Sequence, residues 1–168
     1  MNVRILFFLF LSLIATQQTF SQNEYKASMT GWEVDLNEAY KKSVEKGVPI
    51  MANFTGTDWC GWCIRLKKSV FTTDAFKKWA KENVILLEVD FPRRFKLPAA
   101  IANQNAGLQQ AFQVRGYPTI FVFNMFPDKN TGKVNLQSLA RTSYKATPAE
   151  FIGDLERQIK ASKAKNPN

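Results

Sequence analysis

Two short apolar runs separated by helical segments constrain the fold of this chain more than any other feature. Residues 48–54 (VPIMANF) and 83–90 (NVILLEVD) are apolar runs of strand length, and segments with helical spacing lie on either side of each. Strands that are apolar along their whole length are typical of a sheet covered on both faces. We therefore predict an α/β layered fold with parallel strand pairs.

The remaining segments complete a single domain. Apolar spacing and capping residues predict helices over 35–46, from about 60 to 69, from 73, over about 98–112 and from about 147. Further strands are predicted at 118–124 and within 133–143, and we expect these two to pair antiparallel. The predicted core spans about 32–160, and residues 163–168 are predicted to be a basic, frayed tail.

Residues 1–21 are typical of a secretory signal peptide. Arg4 precedes an apolar run of 11 residues, 5–15, and a bilayer span needs roughly 20. The small residues Thr19 and Ser21 predict cleavage after Ser21, which leaves 22–168 as the mature domain. An uncleaved N-terminal anchor is the alternative. We expect an exported protein, periplasmic or else secreted.

Composition excludes several kinds of chemistry. The 168 residues include no His and only two Cys, so a His-based catalytic triad and the usual Cys/His zinc sites are excluded. No glycine-rich phosphate-binding motif and no cluster of metal ligands is present, and we expect neither metal nor bound cofactor. The net charge is +9, but the charges are dispersed and export separates the chain from cytosolic nucleic acid, so no nucleic-acid partner is expected.

Both cysteines lie in one motif, Cys60-Gly61-Trp62-Cys63, between an apolar strand and a helix. Unpaired backbone N–H groups at a helix N-terminus favour an anion, which lowers the pKa of the first thiol. Cys63 follows one turn later and can reach the first sulfur. The pattern favours a dithiol/disulfide redox pair. A structural disulfide, half of an intermolecular zinc site, and two inert buried thiols stay open as alternatives.

Three segments together resemble the thioredoxin superfamily. They are Asp58-Trp59-Cys60-Gly61-Trp62-Cys63, the strand 85–90 (ILLEVD) and the stretch 112–119 (FQVRGYPT). Within the superfamily the chain is similar to exported thioredoxin-like proteins and to the periplasmic thioredoxin-like domain of the bacterial transmembrane thiol reductant conductor. The resemblance covers about 32–160. It implies a thioredoxin fold, in which a central mixed β-sheet is flanked by helices on both faces.

The resemblance also implies roles for individual residues. Cys60 would be the exposed attacking thiol and Cys63 the partly buried resolving thiol. A cis Tyr117–Pro118 bond would face the disulfide, and the Tyr117 backbone could pair with an extended substrate segment. A trans proline that begins a strand is the alternative. Residues expected to support these motifs are Asp58, Gly61, Gly116 and Thr119. We expect Trp62 to be an apolar platform for a client disulfide and Trp59 to be packed and orienting.

The chain departs from the family pattern at two informative positions. The family often has a buried acid on the strand before the motif, where this chain has Asn53, which cannot carry the proton of the resolving thiol. A water, Asp58 or Glu88 are the candidate replacements. Trp62 stands where strong oxidants often have His, and without that His the disulfide is harder to reduce, which favours a reductase. The stretch 91–107 is also longer than in a minimal thioredoxin, and its basic residues form either a partner surface or a solvated loop.

The sequence therefore predicts a thiol–disulfide oxidoreductase that reduces protein disulfides. Cys60 would attack a client disulfide and Cys63 would release the reduced client, so the redox-active disulfide takes the place of a cofactor. The expected partners are disulfide-containing client proteins and a membrane thiol–disulfide electron donor, and we expect a monomer. The alternatives are an oxidase or isomerase of exported proteins and a non-catalytic thioredoxin-fold binding module.

Overall fold

The computed structural model of the chain describes residues 25–128 and 134–165. The predicted signal peptide, 1–21, and the last residues of the predicted tail, 166–168, lie outside this part. The strands are β1 Ile50–Thr55, β2 Ile85–Asp90, β3 Thr119–Pro127 and β4 Val134–Thr142. The helices are α1 Leu36–Lys46, α2 Gly61–Leu66, α3 Asp74–Asn83, α4 Ala99–Ala111 and α5 Pro148–Lys165, and a π-helical segment, Lys67–Phe71, continues α2.

The strands form one mixed sheet in the order β2-β1-β3-β4. β1 pairs parallel with β2 and antiparallel with β3, and β3 pairs antiparallel with β4. A residue before α1, Glu33, bridges to Leu87 on the outer side of β2. The predicted α/β class, the parallel pair and the antiparallel pair at the end of the chain are confirmed.

The two faces of the sheet carry separate apolar cores because side chains alternate along each strand. On one face Met51 packs with residues of the segment after the CGWC motif and of α3 and α5, among them Leu66, Phe76 and Phe151. On the other face Phe54 and Leu87 pack against α1 and α4. Helices therefore cover both faces, as predicted.

Local capping explains where α1 begins and ends and where α3 begins. The Asp35 carboxylate accepts from the backbone N–H of Asn37 and of Glu38, at 2.7 and 3.3 Å, which satisfies two free donors at the start of α1. Gly47 ends α1 with φ of 67°, a left-handed conformation that glycine adopts without strain. The Thr73 hydroxyl accepts from the backbone N–H of Phe76 at the start of α3.

Two boundaries differ from the sequence prediction. The helix expected over 60–69 divides into α2 and the π-helical segment, which ends at Phe71. The tail predicted to fray from residue 163 is helical up to Lys165. Ile159 packs against the core, and the alanines and lysines that follow have high helix propensity, so the helix continues past the last core contact. In the described part of the chain, no helix is both long and apolar enough to cross a membrane.

Asp154 ties α5 to the end of β4, and its replacement by Asn should lower stability. Thr142 Oγ1 donates to the Asp154 carboxylate at 2.6 Å, and Lys145 lies 3.5 Å away. The Thr142 hydrogen bond holds the pKa of Asp154 below its ordinary value. We expect Asp154→Asn to lose about 1–2 kcal/mol of unfolding free energy at neutral pH in urea titrations.

The same contribution should depend on pH in a defined direction. Because the folded-state pKa of Asp154 is depressed, the stabilisation is present above the unfolded-state value of about 3.9 and is lost as pH falls through the folded-state value. The difference between wild type and Asp154→Asn should therefore shrink below about pH 4. Glu150→Gln, an exposed change on the same helix, is the control and should stay within about 0.5 kcal/mol. Equal losses in both variants would contradict the assignment.

Candidate active site

The two cysteines form a disulfide at the beginning of α2. Their Cα atoms are 5.2 Å apart. Cys60 is the N-cap of the helix, and its Sγ accepts a hydrogen bond from the backbone N–H of Cys63 at 3.3 Å. The same N–H can stabilise a Cys60 thiolate once the disulfide opens, because a helix N-terminus offers unpaired donors to an anion.

The expected difference in exposure between the two cysteines is wrong for the disulfide form. Cys60 is 6% exposed and Cys63 is 5% exposed. The Cys60 side chain turns back over the first helical turn to bond Cys63 and to accept from its N–H, which takes it out of solvent. An attacking group therefore has only a small part of Cys60 to approach.

Residues just before the motif are fixed by the loop that follows β2. The Asp58 carboxylate accepts from the backbone N–H of Arg93 at 3.0 and 3.1 Å and from that of Arg94 at 2.6 Å. Partial burial raises the pKa of Asp58, but these backbone hydrogen bonds outweigh it and hold the pKa below its ordinary value. Asp58 is therefore a carboxylate that anchors the loop.

The Trp59 indole is held on three sides. Its Nε1 donates to the backbone oxygen of Phe91 at 2.8 Å, and the Arg93 guanidinium lies 3.6 Å from the ring centroid. The Tyr117 ring meets it edge-on at 5.9 Å between centroids. Trp59 is thus packed between the loop after β2 and Tyr117, and its orienting role stays a prediction. The start of the long 91–107 stretch is thus docked on the motif by Phe91, Arg93 and Arg94.

The contact between Trp59 and Tyr117 brings the proline loop beside the motif. The Tyr117–Pro118 peptide bond is cis. The Tyr117 ring stacks on Phe91 at 5.2 Å, and its hydroxyl accepts from Gln109 Nε2 at 2.6 Å. Burial raises the pKa of Tyr117. Thr119 Oγ1 donates to the Gly116 backbone oxygen at 2.8 Å, which closes the loop where β3 begins.

Trp62 is the apolar side chain of the motif that solvent reaches. It is 55% exposed, its ring lies 4.9 Å from that of Tyr144, and the Arg65 guanidinium lies 4.8 Å from its centroid. Gly61, beside it, has open space where a Cβ would lie. The exposed Trp62 ring and the half-buried Tyr144 ring together form an aromatic surface next to the disulfide.

Polar residues on β1 and β2 are buried beneath α2, away from the exposed Trp62. Asn53 is 4% exposed and Glu88 is 1% exposed, and the two are register partners on β1 and β2. Glu88 accepts from the backbone N–H of Ser28 at 2.8 Å and from its hydroxyl at 2.5 Å. A cavity of about 20 Å³, here called the Cys63 cavity, is lined among others by Asn53, Thr55, Thr57, Cys63, Lys67 and Glu88.

Burial raises the pKa of Glu88 above its ordinary value, and the neighbouring carboxylate of Asp90 adds to the effect. The hydrogen bonds from Ser28 and the charge of Lys67 act in the opposite direction. The site thus holds one buried carboxyl group whose proton is held more tightly than usual. Within residues 25–128 and 134–165, no group of three or more His, Cys, Asp or Glu is placed to hold a metal ion.

Comparison with known proteins decides the family. The thioredoxin-like family matches residues 31–125, more than half of the chain. The chain belongs to the thioredoxin-like family. The resemblance that the sequence motifs indicated is confirmed.

Relatives of this thioredoxin-like protein are found among bacterial Dsb proteins. The disulfide bond reductase DsbH of Chlamydia pneumoniae is 34% identical over 89 residues, 53% of this chain and 53% of the relative. The thioredoxin-related protein DsbJ of the same organism is 27% identical over 123 residues, 73% of this chain and 35% of the relative. The chain thus spans about half or less of the length of these curated relatives.

Solved structures agree with the assignment. A structure of a DsbH oxidoreductase superposes with a TM-score of 0.65 at 26% identity, covering 83% of this chain and 94% of the other. A thioredoxin from Thermus thermophilus superposes with a TM-score of 0.57 at 16% identity, covering 82% and 95%. The second comparison shows a shared fold.

Several residues of this thioredoxin-like site have no signal in the sequence motifs. Tyr144 lies in a loop between β4 and α5, 82 positions after Trp62, and only the fold brings the two together. Gln109 and Phe91 contact Tyr117 from α4 and from the loop after β2. Ser28, which bonds Glu88, precedes the predicted core. Glu88 lies inside the apolar strand β2, and from the sequence it is only one of three candidate replacements for the missing acid.

The position of the Trp59 indole requires a glycine at residue 56, and we predict that Gly56→Ala is destabilising. A Cβ at Gly56 would lie 2.5 Å from Trp59 Cε2 and Nε1. Gly56→Ala must displace an indole that is also bonded to Phe91, and we expect a loss of about 1–3 kcal/mol together with a shift in tryptophan fluorescence. Gly107→Ala in α4 is the matched control because open space surrounds it, and we expect it to be neutral or stabilising by up to about 1 kcal/mol. Similar stability of both variants would count against the packed role of Trp59.

Proposed function

We propose that this chain is a thiol–disulfide oxidoreductase that reduces protein disulfides in an extracytoplasmic compartment. The observation that carries the proposal is the Cys60–Cys63 disulfide at the start of a helix in a thioredoxin-like fold. The direction is supported by Trp62 in place of a thiolate-stabilising His and by the relative described as a disulfide bond reductase. The compartment is supported by the signal-like residues 1–21 and by the Dsb relatives.

The first step forms a mixed disulfide. The Cys60 thiolate attacks one sulfur of a client disulfide, a Cys60–client S–S bond forms, and the client S–S bond breaks. The electron pair of the broken bond leaves on the second client sulfur, which takes a proton from solvent. The N–H of Cys63 that now donates to Cys60 Sγ stabilises the attacking thiolate before the step.

The second step releases the client. Cys63 loses its proton and attacks Cys60 Sγ, which restores the Cys60–Cys63 disulfide. The bond to the client sulfur breaks, so the client leaves with two electrons more than it brought. A membrane dithiol donor would return two electrons to the pair, and no other cofactor or metal is needed.

The client would bind beside the disulfide on aromatic surfaces. The exposed Trp62 ring and the half-buried Tyr144 ring form an aromatic patch next to Cys60, suited to the nonpolar surroundings of many protein disulfides. Tyr117 and Pro118 lie next to Trp59 on the proline loop, where an extended client segment could add as a strand. The proposal therefore gives Tyr117 and Pro118 the substrate-binding role that the resemblance implies.

Insulin reduction tests the activity. The wild type should accelerate dithiothreitol-driven precipitation of insulin chains, and Cys60→Ser should abolish the acceleration because the attacking sulfur is lost. Cys63→Ser should instead accumulate a mixed disulfide with insulin, visible on a non-reducing gel, because the release step is blocked. The proposed function would be refuted if Cys60→Ser accelerated insulin precipitation as strongly as the wild type does. It would also be refuted if the wild type gave no acceleration.

The reduction potential tests the direction. We expect the Cys60–Cys63 pair to equilibrate with glutathione at about −250 mV or lower, at the reducing end of known dithiol proteins. The measurement is the fraction of disulfide at a series of glutathione ratios, read by tryptophan fluorescence. A value near about −130 mV would make the protein an oxidant of its clients and contradict the reductase assignment.

A further inference from the structure

We propose that Glu88 is a positioning residue that takes up and returns the proton of Cys63 through a water molecule in the Cys63 cavity. The inference rests on the thiol–disulfide exchange proposed above. It assigns the proton transfer of the release step to β2, because β1 carries Asn53, whose amide does not act as an acid or a base near neutral pH.

The sheet places Glu88 on the face that α2 covers. Asn53 and Glu88 are register partners on parallel strands, and side chains of register partners point to the same face. This face is also that of Met51 and Leu86, which pack with Leu66 at the end of α2. The apolar face thus ends in a buried carboxyl group beneath the helix that carries Cys63.

The Cys63 cavity joins the two groups. It has a volume of about 20 Å³, and one water molecule needs about 10–15 Å³ and two to four polar partners. The cavity wall supplies such partners from Asn53, Thr55, Thr57 and Glu88. Asn53 is among the lining residues, and its Oδ1 is buried and has no hydrogen-bond partner within the described part of the chain. A buried amide oxygen in this state calls for a donor, and a water beside Cys63 supplies one.

The other two acids near the motif, Asp58 and Asp90, accept hydrogen bonds from other residues. Asp58 accepts three hydrogen bonds from backbone N–H groups of Arg93 and Arg94, and its lowered pKa makes it a weak proton acceptor. Asp90 accepts from the backbone N–H and the hydroxyl of Thr57, at 2.8 and 2.6 Å, and does not line the cavity. Glu88 is the acid that shares a cavity with Cys63.

The surroundings of Glu88 leave its carboxyl group able to hold a proton. Ser28 donates to both oxygens of Glu88, and Lys67 Nζ donates to the Ser28 backbone oxygen at 2.9 Å. Ser28 therefore lies between Lys67 and Glu88 and is hydrogen-bonded to both. Among the described residues, the charged and titratable groups around Glu88 include Lys67 from the π-helical segment, Asp90 from the same strand, Tyr25 from the N-terminal segment and Cys63 from α2. Burial and Asp90 raise the pKa of Glu88 more than Ser28 and Lys67 lower it.

The step balances in both directions. During client release the Cys63 S–H bond breaks, its proton passes through the water to the Glu88 carboxylate, and its electron pair forms the bond to Cys60 Sγ. The Cys60–client bond breaks and its electron pair leaves on the client sulfur. When a dithiol reduces the Cys60–Cys63 disulfide, Cys63 leaves with the electron pair and receives the proton from the Glu88 acid.

Reduction of the protein disulfide by dithiothreitol tests the proton transfer without any client. The rate is followed by tryptophan fluorescence from pH 5 to 8 in the full-length wild type and in Glu88→Gln. The ratio of the two rates cancels the titration of dithiothreitol itself. We expect the wild type to be faster by about tenfold or more at the low end, where Glu88 is protonated. The ratio should fall as the pH rises through the pKa of Glu88.

Three further variants separate proton transfer from structure. Glu82→Gln makes the same substitution at an exposed position of α3 and should leave the ratio at one throughout. Asn53→Asp combined with Glu88→Gln returns an acid to the cavity wall and should recover a pH-dependent rate. Ser28→Ala removes a hydrogen bond that lowers the pKa of Glu88, so the fall in rate should move to higher pH. This variant keeps the acid and serves even where Glu88→Gln does not fold.

Two results would overturn the inference. One is a ratio of wild-type to Glu88→Gln rates that does not change with pH. Glu88 would then only accept the hydrogen bonds from Ser28. The other is a Ser28→Ala profile that coincides with the wild type. The insulin assay keeps this failure apart from that of the proposed function. A wild type that reduces insulin but gives a flat ratio refutes the role of Glu88 alone, and one that gives the expected profile without reducing insulin refutes the proposed function alone.

Discussion

The burial of the Glu88 carboxyl group beneath α2 is the constraint on which the surroundings of the disulfide depend. A carboxyl group at 1% exposure is costly to bury unless it is hydrogen-bonded. Ser28 supplies two hydrogen bonds and Lys67 supports Ser28 from the π-helical segment. The N-terminal segment is therefore tied to the sheet at Ser28, and again at Glu33, which bridges to Leu87, while Trp32 packs in the core between them. One buried acid thus organises a segment far from it in sequence.

The end of β2 serves the motif from the other side as well. Asp90 holds Thr57, and the loop that follows binds Asp58 through backbone N–H groups of Arg93 and Arg94. Trp59 is clamped between this loop and Tyr117, so the proline loop is positioned through the same contacts. The basic side chains of the long loop had two interpretations, a partner surface or a solvated loop. The structure shows a third function for the loop backbone, which anchors the residues just before Cys60.

The sequence predicted the layered fold well because its signals are local. The apolar runs at β1 and β2, the Asp35 and Thr73 caps, and Gly47 each act within a few residues, and all are present as predicted. The motif likewise located the disulfide. What surrounds the disulfide depends on pairing between distant segments: Tyr144 with Trp62, Gln109 with Tyr117, and Ser28 with Glu88. The prediction that Cys60 is exposed was wrong for the disulfide form, because the oxidised side chain turns inward. The spacing of the motif does not encode this.

Asn53 and Glu88 are register partners on adjacent strands, so this place in the sheet carries one carboxyl group and one amide. Two facing carboxylates on adjacent strands would repel each other in a dry site, and one would have to stay protonated. An amide on β1 avoids this repulsion and leaves Glu88 as the carboxyl group that lines the Cys63 cavity among the described residues. The folded-state pKa of Glu88 is raised, so its ionisation costs stability, and this cost grows as pH rises from the unfolded-state value of about 4.3 through the folded-state value. Gln would fill nearly the same volume without that cost. Glu88 carries this ionisation cost and lines a cavity with Cys63, which is the placement that the proposed proton transfer requires.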